Sequence, residues 1–146
     1  MKSKLLHSDG GQRTYALVFD KGDEVKRNLL EFAAYNSIAG AQLSAIGAFS
    51  SVTLGYFDRD TKKYKEIPIN EQVEVVSLIG NIARKDGKPR LHAHVVVAKS
   101  DGSAHGGHLL QASVWPTLEV VLVESPKHLL RRMDEDTGLA LIDLAA

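Results

Sequence analysis

The segment from Val73 to Ala98, VEVVSLIGNIARKDGKPRLHAHVVVA, decides the fold that we predict for this chain. An apolar run, Val73 to Ala83, and a second β-rich run, Leu91 to Ala98, flank the turn-forming residues Asp86-Gly87-Lys88-Pro89. Two such runs joined through an Asp-Gly pair are typical of a β-hairpin. We expect Gly80 to bend the first of these strands.

Other strands and one helix are predicted around this hairpin. An N-cap at Asp23 and a helical spacing of apolar residues from Val25 predict a helix that ends before Gly40. The strands are predicted at 14–19, 42–57 (with bulges at Gly47 and Gly55), 64–69 (an edge strand because of Pro68) and 109–123, and residues 128–144 as a hairpin or extended tail. We therefore expect a single α+β domain over residues 1–146, with a largely antiparallel sheet and one main helix packed on it.

The composition excludes several classes of protein. The chain has 146 residues, of which 44% are hydrophobic and 25% charged, as in an ordinary globular domain. It has no Cys, which excludes disulfides, thiolate metal sites and Cys nucleophiles. No apolar run reaches about 18 residues, so we expect no membrane-spanning helix. Met1 to Asp9 lacks the apolar core of a secretory signal, and a cytoplasmic location is the simplest expectation.

The charge balance argues against a nucleic-acid partner. Eighteen basic and eighteen acidic side chains give a formal net charge of zero, whereas DNA-binding domains usually carry a basic excess. The densest basic segments are Lys62 to Lys65 and Arg84 to Arg90. Both lie in predicted turns, and we interpret them as solvated hairpin tips.

Four of the six histidines fall between residues 92 and 108. On a strand, His92 and His94 point to the same face, with Cα atoms about 6–7 Å apart, while Ala93 faces the core. That spacing allows two imidazoles to converge on one ion. The alternative is that these histidines are ordinary strand residues hydrogen-bonded to their neighbours.

A third ligand is predicted from the strand that follows. The Asp101-Gly102 turn should fold this strand back beside His92. His105 and His108 are three residues apart and face opposite sides of an extended chain, unless Gly106-Gly107 forms a bulge. We predict His108 as the third ligand and place His105 near the rim of the site. Three neutral imidazoles suit a divalent transition metal, Zn above all, and leave an open coordination position. His7 and His128 are expected to be surface residues.

Few residues could assist such a site as acid or base. Glu119 interrupts the apolar run Pro116 to Leu122, where a carboxylate is costly to bury unless it is paired or ligating. We predict Glu119 and His105 as candidate catalytic residues. Glu119 is equally compatible with pairing across an interface or with a solvated edge position.

An ordered set of motifs resembles the plant-and-prokaryote-conserved (PPC) domain in its free-standing prokaryotic form. The motifs are Ile46-Gly47-Ala48, Leu54 to Asp58, Ser77 to Ala83, Gly87-Lys88-Pro89, Leu91 to Val95, Gly106 to Leu109, Pro116 to Val120 and Asp134 to Leu139. The resemblance implies an antiparallel α/β domain that forms homotrimers. It also implies a metal site in His-x-His and Gly-Gly-His, which here are His92, His94 and His108.

The same resemblance implies a link with DNA, because related plant domains accompany AT-hook motifs in DNA-binding proteins. This chain has no Arg-Gly-Arg-Pro core, and Pro89-Arg90 is the nearest fragment. With balanced charge as well, the phosphate contribution to DNA affinity should be small.

Three functions follow as hypotheses. The first is a trimeric metal-binding protein, and its more specific form is a metal-dependent enzyme that acts on an unknown small molecule. The second is a DNA-binding or protein-assembly module. The third is a cupin-like metalloenzyme, although the Glu that usually follows the cupin His-x-His is replaced here by Val95-Val96-Val97.

Overall fold

The computed structural model describes residues 1–125 and 127–145. In this part of the chain one helix accompanies a nine-stranded sheet, which confirms the predicted α+β class. The elements are β1 (Lys2–Asp9), β2 (Gln12–Phe19), α1 (Val25–Tyr35), β3 (Gly40–Asp58), β4 (Lys63–Ile69), β5 (Val73–Lys85), β6 (Lys88–Ala98), β7 (Ala104–Glu124), β8 (Leu130–Met133) and β9 (Ala140–Asp143).

The sheet has the strand order β1-β2-β7-β3-β5-β8-β9. Strand β4 pairs with β3, and β6 pairs with both β5 and β7, so that β3, β5, β6 and β7 form a closed circuit. All the pairings are antiparallel except a short parallel contact between Arg84 of β5 and Leu130 of β8. Closure of the circuit places β6 directly beside the start of β7, where the predicted ligands lie.

The predicted central hairpin is confirmed. Strands β5 and β6 pair from Glu74 opposite Ala98 to Lys85 opposite Lys88. The two turn residues, Asp86 and Gly87, have φ values of 52° and 74°. Positive φ at both positions is the geometry of a type I′ turn, which Asp-Gly pairs favour because Asp tolerates and Gly readily adopts it.

Gly80 serves close packing, whereas we had predicted a bend. The pairing of β5 with β6 is regular across Gly80, and its irregularity lies instead between Val75 and Ser77. A Cβ atom at Gly80 would lie 2.6 Å from the carbonyl oxygen of His92. Glycine is therefore required for β6 to approach β5 at this point. Gly47, by contrast, does lie at register shifts in the pairings of β3 with β5 and with β7, as predicted, whereas the shift nearest to Gly55 falls between Thr53 and Leu54.

Helix α1 begins one residue later than predicted. Its N-cap is Glu24, whose carboxylate accepts hydrogen bonds from the backbone N–H groups of Lys26 and Arg27. Asp23 instead accepts from the backbone N–H of Asp20 and pairs with the N-terminal amine. The predicted apolar stripe is confirmed, and its buried members are Val25, Leu29, Phe32 and Ala33.

Two regions near the ends of the chain complete the sheet. Strand β1 was not predicted, because its eight residues are all exposed and show no alternating pattern. Among the strands that the structure describes, it pairs with β2 alone. The tail forms the hairpin β8–β9, one of the two predicted alternatives. None of the helical segments that the structure describes has the length and hydropathy needed to span a bilayer.

The sheet buries one face and exposes the other. Along β6, Ala93, Val95 and Val97 are buried, whereas His92 and His94 are exposed. We call the exposed side the outer face. It carries large apolar side chains that are 39–62% exposed, namely Val18, Ile46, Val76, Ile79, Val96 and Val121.

Candidate metal centre

Strand β6 supplies two converging imidazoles. The burial of Ala93 and Val95 fixes the face of the strand, so His92 and His94 both project outward. Their Nε2 atoms lie 3.2 Å apart, and their ring centroids lie 5.2 Å apart. The structure therefore confirms the prediction that His92 and His94 point to the same face of the strand, with their rings close together.

Strand β7 brings the third imidazole to the same place. His108 pairs directly with His94, and its ring centroid lies 5.2 Å from that of His92 and 5.4 Å from that of His94. The register from Ala104 to His108 is unbroken, so Gly106-Gly107 forms no bulge. Gly107 instead allows close packing, since a Cβ there would lie 3.0 Å from the carbonyl oxygen of Gly55 on β3.

The three histidines form what we call the three-His cluster: His92, His94 and His108. One ring nitrogen of each lies within 4.8 Å of the other two. In a tetrahedral Zn site with bonds of about 2.0–2.1 Å the nitrogens lie about 3.3–3.4 Å apart, so the widest pair would have to close by up to about 1.4 Å, which rotation of the imidazole rings can supply. The residues therefore fit a metal ion.

The surroundings of His108 also suit a role as a metal ligand. Its Nδ1 atom is buried and has no hydrogen-bond partner in the described part of the chain. A buried imidazole nitrogen without a partner is unfavourable, and ligation is one way to satisfy such a ring. Tyr64 of β4 packs on the His108 ring at a centroid distance of 4.8 Å and limits its movement.

The electrostatics favour neutral imidazoles. Burial lowers the pKa of His108 to about 4, with smaller contributions from His92, His94 and Lys26. Burial also lowers the pKa of His92, helped by the positive charge of Arg131. Neutral imidazole is the form that binds metal ions, so His92 and His108 do not have to lose protons at neutral pH in order to bind one.

A cavity of about 290 Å³ opens beside the cluster, and we call it the basic cavity. Its lining consists of His92 and His108, the cationic Lys85, Arg90 and Arg131, and the apolar or aromatic Tyr64, Leu91, Leu139, Ala140 and Leu141. Arg131 was missed by sequence reasoning, because β8 follows the cluster by more than twenty residues and reaches it only through its contact with β5. The two basic segments that we interpreted as solvated tips do lie at turns, yet Tyr64, Lys85 and Arg90 from them line this cavity.

The two predicted acid–base residues do not join the cluster within this chain. His105 is exposed and pairs with Val97, whose side chain points to the inner face, opposite to the cluster. Glu119 lies exposed on the outer face, paired with Val18 and Ile46. It is separated from His94 by three strand spacings of about 4.8 Å, or about 14 Å. His7 and His128 are exposed and stand apart from the cluster.

The fold and the site together define a class of protein: an antiparallel α+β domain in which three imidazoles converge where β6 pairs with β7. Residues 6–126 match the family model described as the Plants and Prokaryotes Conserved (PCC) domain. The chain therefore belongs to the PCC domain family. Membership of this family leaves the cupin-like interpretation without support.

Solved structures agree with this assignment. A candidate DNA-binding protein of Bacteroides thetaiotaomicron is 29% identical, with a TM-score of 0.87 and 96% of each chain covered. A metal-containing protein of Archaeoglobus fulgidus is 37% identical, with a TM-score of 0.83, covering 97% of this chain and 99% of that one.

A curated relative is much longer than this chain. The chain is 34% identical over 132 residues to a protein of a Synechococcus strain named bifunctional protein GlmU. The match covers 88% of this chain but only 20% of that protein, so the chain spans about a fifth of its curated relative.

Proposed function

We propose that the protein binds one divalent transition metal ion, Zn most readily, through His92, His94 and His108. The observation that carries the proposal is the convergence of three imidazole nitrogens to within 4.8 Å from two paired strands. Nitrogen ligands of this number are typical of zinc sites that perform catalysis. The similar A. fulgidus protein, described as metal-containing, supports the proposal.

We further propose that the site is catalytic. An ion held by three protein ligands has a free position for water or a substrate oxygen, and it supplies Lewis acidity there. The chain supplies the ligands, and Tyr64 holds the His108 ring against movement. Glu119 and His105 are the proposed acid–base residues. Glu119 lies about three strand spacings from the three-His cluster of its own chain, so we propose that it assists from a neighbouring subunit.

Metal analysis of protein purified without a His tag tests the proposal. We expect about one metal ion per chain in the wild type and none after the double substitution His92→Ala, His94→Ala. His105→Ala is the matched control, because it removes an exposed imidazole of β7 and leaves the cluster intact. Undiminished metal in the double variant, or no metal in the wild type, would refute the metal site.

We also propose that the protein is a homotrimer in which the outer face is covered. Ile46 and Ile79 are 61% and 62% exposed, and the register places them on the same face of adjacent strands. Apolar patches of this kind mark interaction surfaces. Other copies of the same chain are the simplest occupants for such a face, and trimers are the state that the family resemblance implies.

Direct DNA binding is a second candidate function. It is supported by the similar B. thetaiotaomicron protein, a candidate DNA-binding protein. The formal net charge of zero weighs against it. Fluorescence anisotropy with duplex DNA at near-physiological salt separates the two functions. Failure to bind at concentrations up to roughly 10⁻⁴ M would remove DNA as a direct partner.

A further inference from the structure

The basic cavity is lined by cationic side chains that have no role in the proposed metal site. Three cationic side chains line it, and no carboxylate lines it among the described residues. Asp86, which pairs with Lys85, does so only at 4.0 Å and is 81% exposed. Positive charge thus accumulates beside His92 and His108 without a matching anion from the protein.

Arg131 is the most constrained of the three cations. One guanidinium N–H donates to the side-chain oxygen of Asn81 at 2.6 Å, and another donates to the carbonyl oxygen of Ala140 at 2.8 Å. Both acceptors are neutral. Its Nε atom is buried and has no hydrogen-bond partner in the described residues. A partly buried guanidinium without a carboxylate is costly, and an anionic ligand would offset that cost.

The rest of the cavity wall is apolar. Leu91, Leu139 and Leu141 line it together with Tyr64, whose ring packs on His108. A cavity with a few convergent charged groups and an apolar wall suits a small organic molecule better than a fully hydrated ion. The planar guanidinium fork matches a carboxylate, to which it can donate two parallel hydrogen bonds.

We infer that the basic cavity binds a small, partly apolar carboxylic acid, whose carboxylate contacts Arg131 and whose remaining polar end faces the three-His cluster. This inference names the substrate class for the proposed metal site and rests on that proposal for the contact with metal. The charge recognition itself requires only the residues of the cavity. Arg90 and Lys85 at the cavity lining add long-range attraction for the same anion.

The test is calorimetric titration of the Zn-loaded protein with 4-hydroxybutanoate, which has a carboxylate at one end and a hydroxyl group at the other, and with 1,4-butanediol as the neutral alcohol of the same carbon skeleton. We expect saturable binding of the acid and binding of the alcohol that is at least tenfold weaker. Arg131→Gln should weaken acid binding at least tenfold. Arg132→Gln is the matched control, because Arg132 is the next residue, is 73% exposed and pairs with Asp143. It should change acid binding less than twofold.

Three results would overturn the inference: equal binding of acid and alcohol, an Arg131→Gln effect below twofold, or tighter binding of inorganic phosphate than of the acid. If Arg131→Gln does not fold, Arg90→Gln replaces it, with an expected weakening of at least threefold. Metal content is measured on the same samples. Metal without acid binding refutes this inference alone. Arg131-dependent acid binding without metal refutes the metal site and leaves carboxylate recognition standing.

Discussion

His94 and His108 are directly paired across β6 and β7, although they are fourteen positions apart in the chain. The pairing places both imidazoles on the same face, because residues opposite each other in an antiparallel ladder project together. A slip of one residue would turn His108 to the other face. The candidate metal centre thus depends on the register of a single strand pair, and this register depends on how closely β7 can approach its neighbours.

Gly107 should be the residue that protects this register. We expect Gly107→Ala to reduce the free energy of unfolding by about 1–3 kcal/mol, the usual effect of overpacking, and to lower metal content. The added Cβ would lie 3.0 Å from the Gly55 carbonyl oxygen and 3.2 Å from Cβ of Leu54. Urea unfolding and metal analysis measure the two effects.

Gly106→Ala is the control for that experiment. Its added Cβ would lie 3.4 Å from Cγ2 of Val96, which is ordinary packing. Equal effects of the two substitutions would show that the close approach of β7 to β3 is not what the glycine pair provides.

The metal-free protein should lose stability as the pH falls from about 6.5 to about 4. In the folded state the pKa of His108 is lowered to about 4, whereas the unfolded chain takes up this proton near the ordinary value of 6.5. The unfolded state therefore binds more protons in that window, so acid favours unfolding. The lowered pKa of His92 acts in the same direction. Melting temperature against pH, with a chelator present, measures the effect.

His108→Gln should flatten this pH dependence, because it removes the group whose pKa differs most between the two states. His105→Gln removes an exposed imidazole of the same strand and should leave the dependence in place. An unchanged slope in His108→Gln would show that other groups carry the acid sensitivity.

Ile46→Glu should convert the proposed trimer to monomers. Glu119 lies directly opposite Ile46 on the outer face, so association would bury two carboxylates side by side, which is strongly unfavourable. Ile46 is far enough from the three-His cluster, on β3, to leave the ligands untouched. Sedimentation velocity compares it with Tyr35→Glu, which places the same charge on a helix residue that is 90% exposed. Trimers in both variants would contradict an interface on the outer face.

The ion pair between Arg13 and Glu124 should support the fold more than surface pairs do. Glu124 is buried, and the second guanidinium nitrogen of Arg13 donates to it at 2.9 Å and to the carbonyl oxygen of Asn36 at 2.9 Å. We expect Glu124→Gln to cost about 1–3 kcal/mol in urea unfolding, because it leaves a partly buried cation without its anion. Asp143→Asn, in the more exposed pair with Arg132, should cost about 0–1 kcal/mol. Equal losses of unfolding free energy in the two variants would show that burial does not make the Arg13–Glu124 pair more stabilising than the Arg132–Asp143 pair.

Local patterns made much of this molecule predictable. The Asp86-Gly87 turn and the alternation around Ala93 depend on neighbouring residues, so the β5–β6 hairpin and the shared face of His92 and His94 could be inferred from the sequence. Strand periodicity places His105 and His108 on opposite faces. His108 is the better candidate because it leads directly into the apolar strand that follows.

The remaining features depend on contacts that are distant in sequence. Strand β1 has no buried face and hence no pattern to detect. Arg131 lines the basic cavity because β8 pairs with β5 at Arg84, and no pattern among neighbouring residues predicts this pairing. The distance of Glu119 from the cluster follows from the strand order, since β3 and β5 lie between β7 and β6 on that side of the sheet.

The central claim is that three imidazoles hold one metal ion, and anomalous diffraction at the zinc edge from Zn-loaded crystals tests it most directly. We expect one strong peak per chain, about 2.0–2.1 Å from a ring nitrogen of each of His92, His94 and His108. A peak bound by only two of these rings, or strong peaks only elsewhere on the chain, would contradict the account.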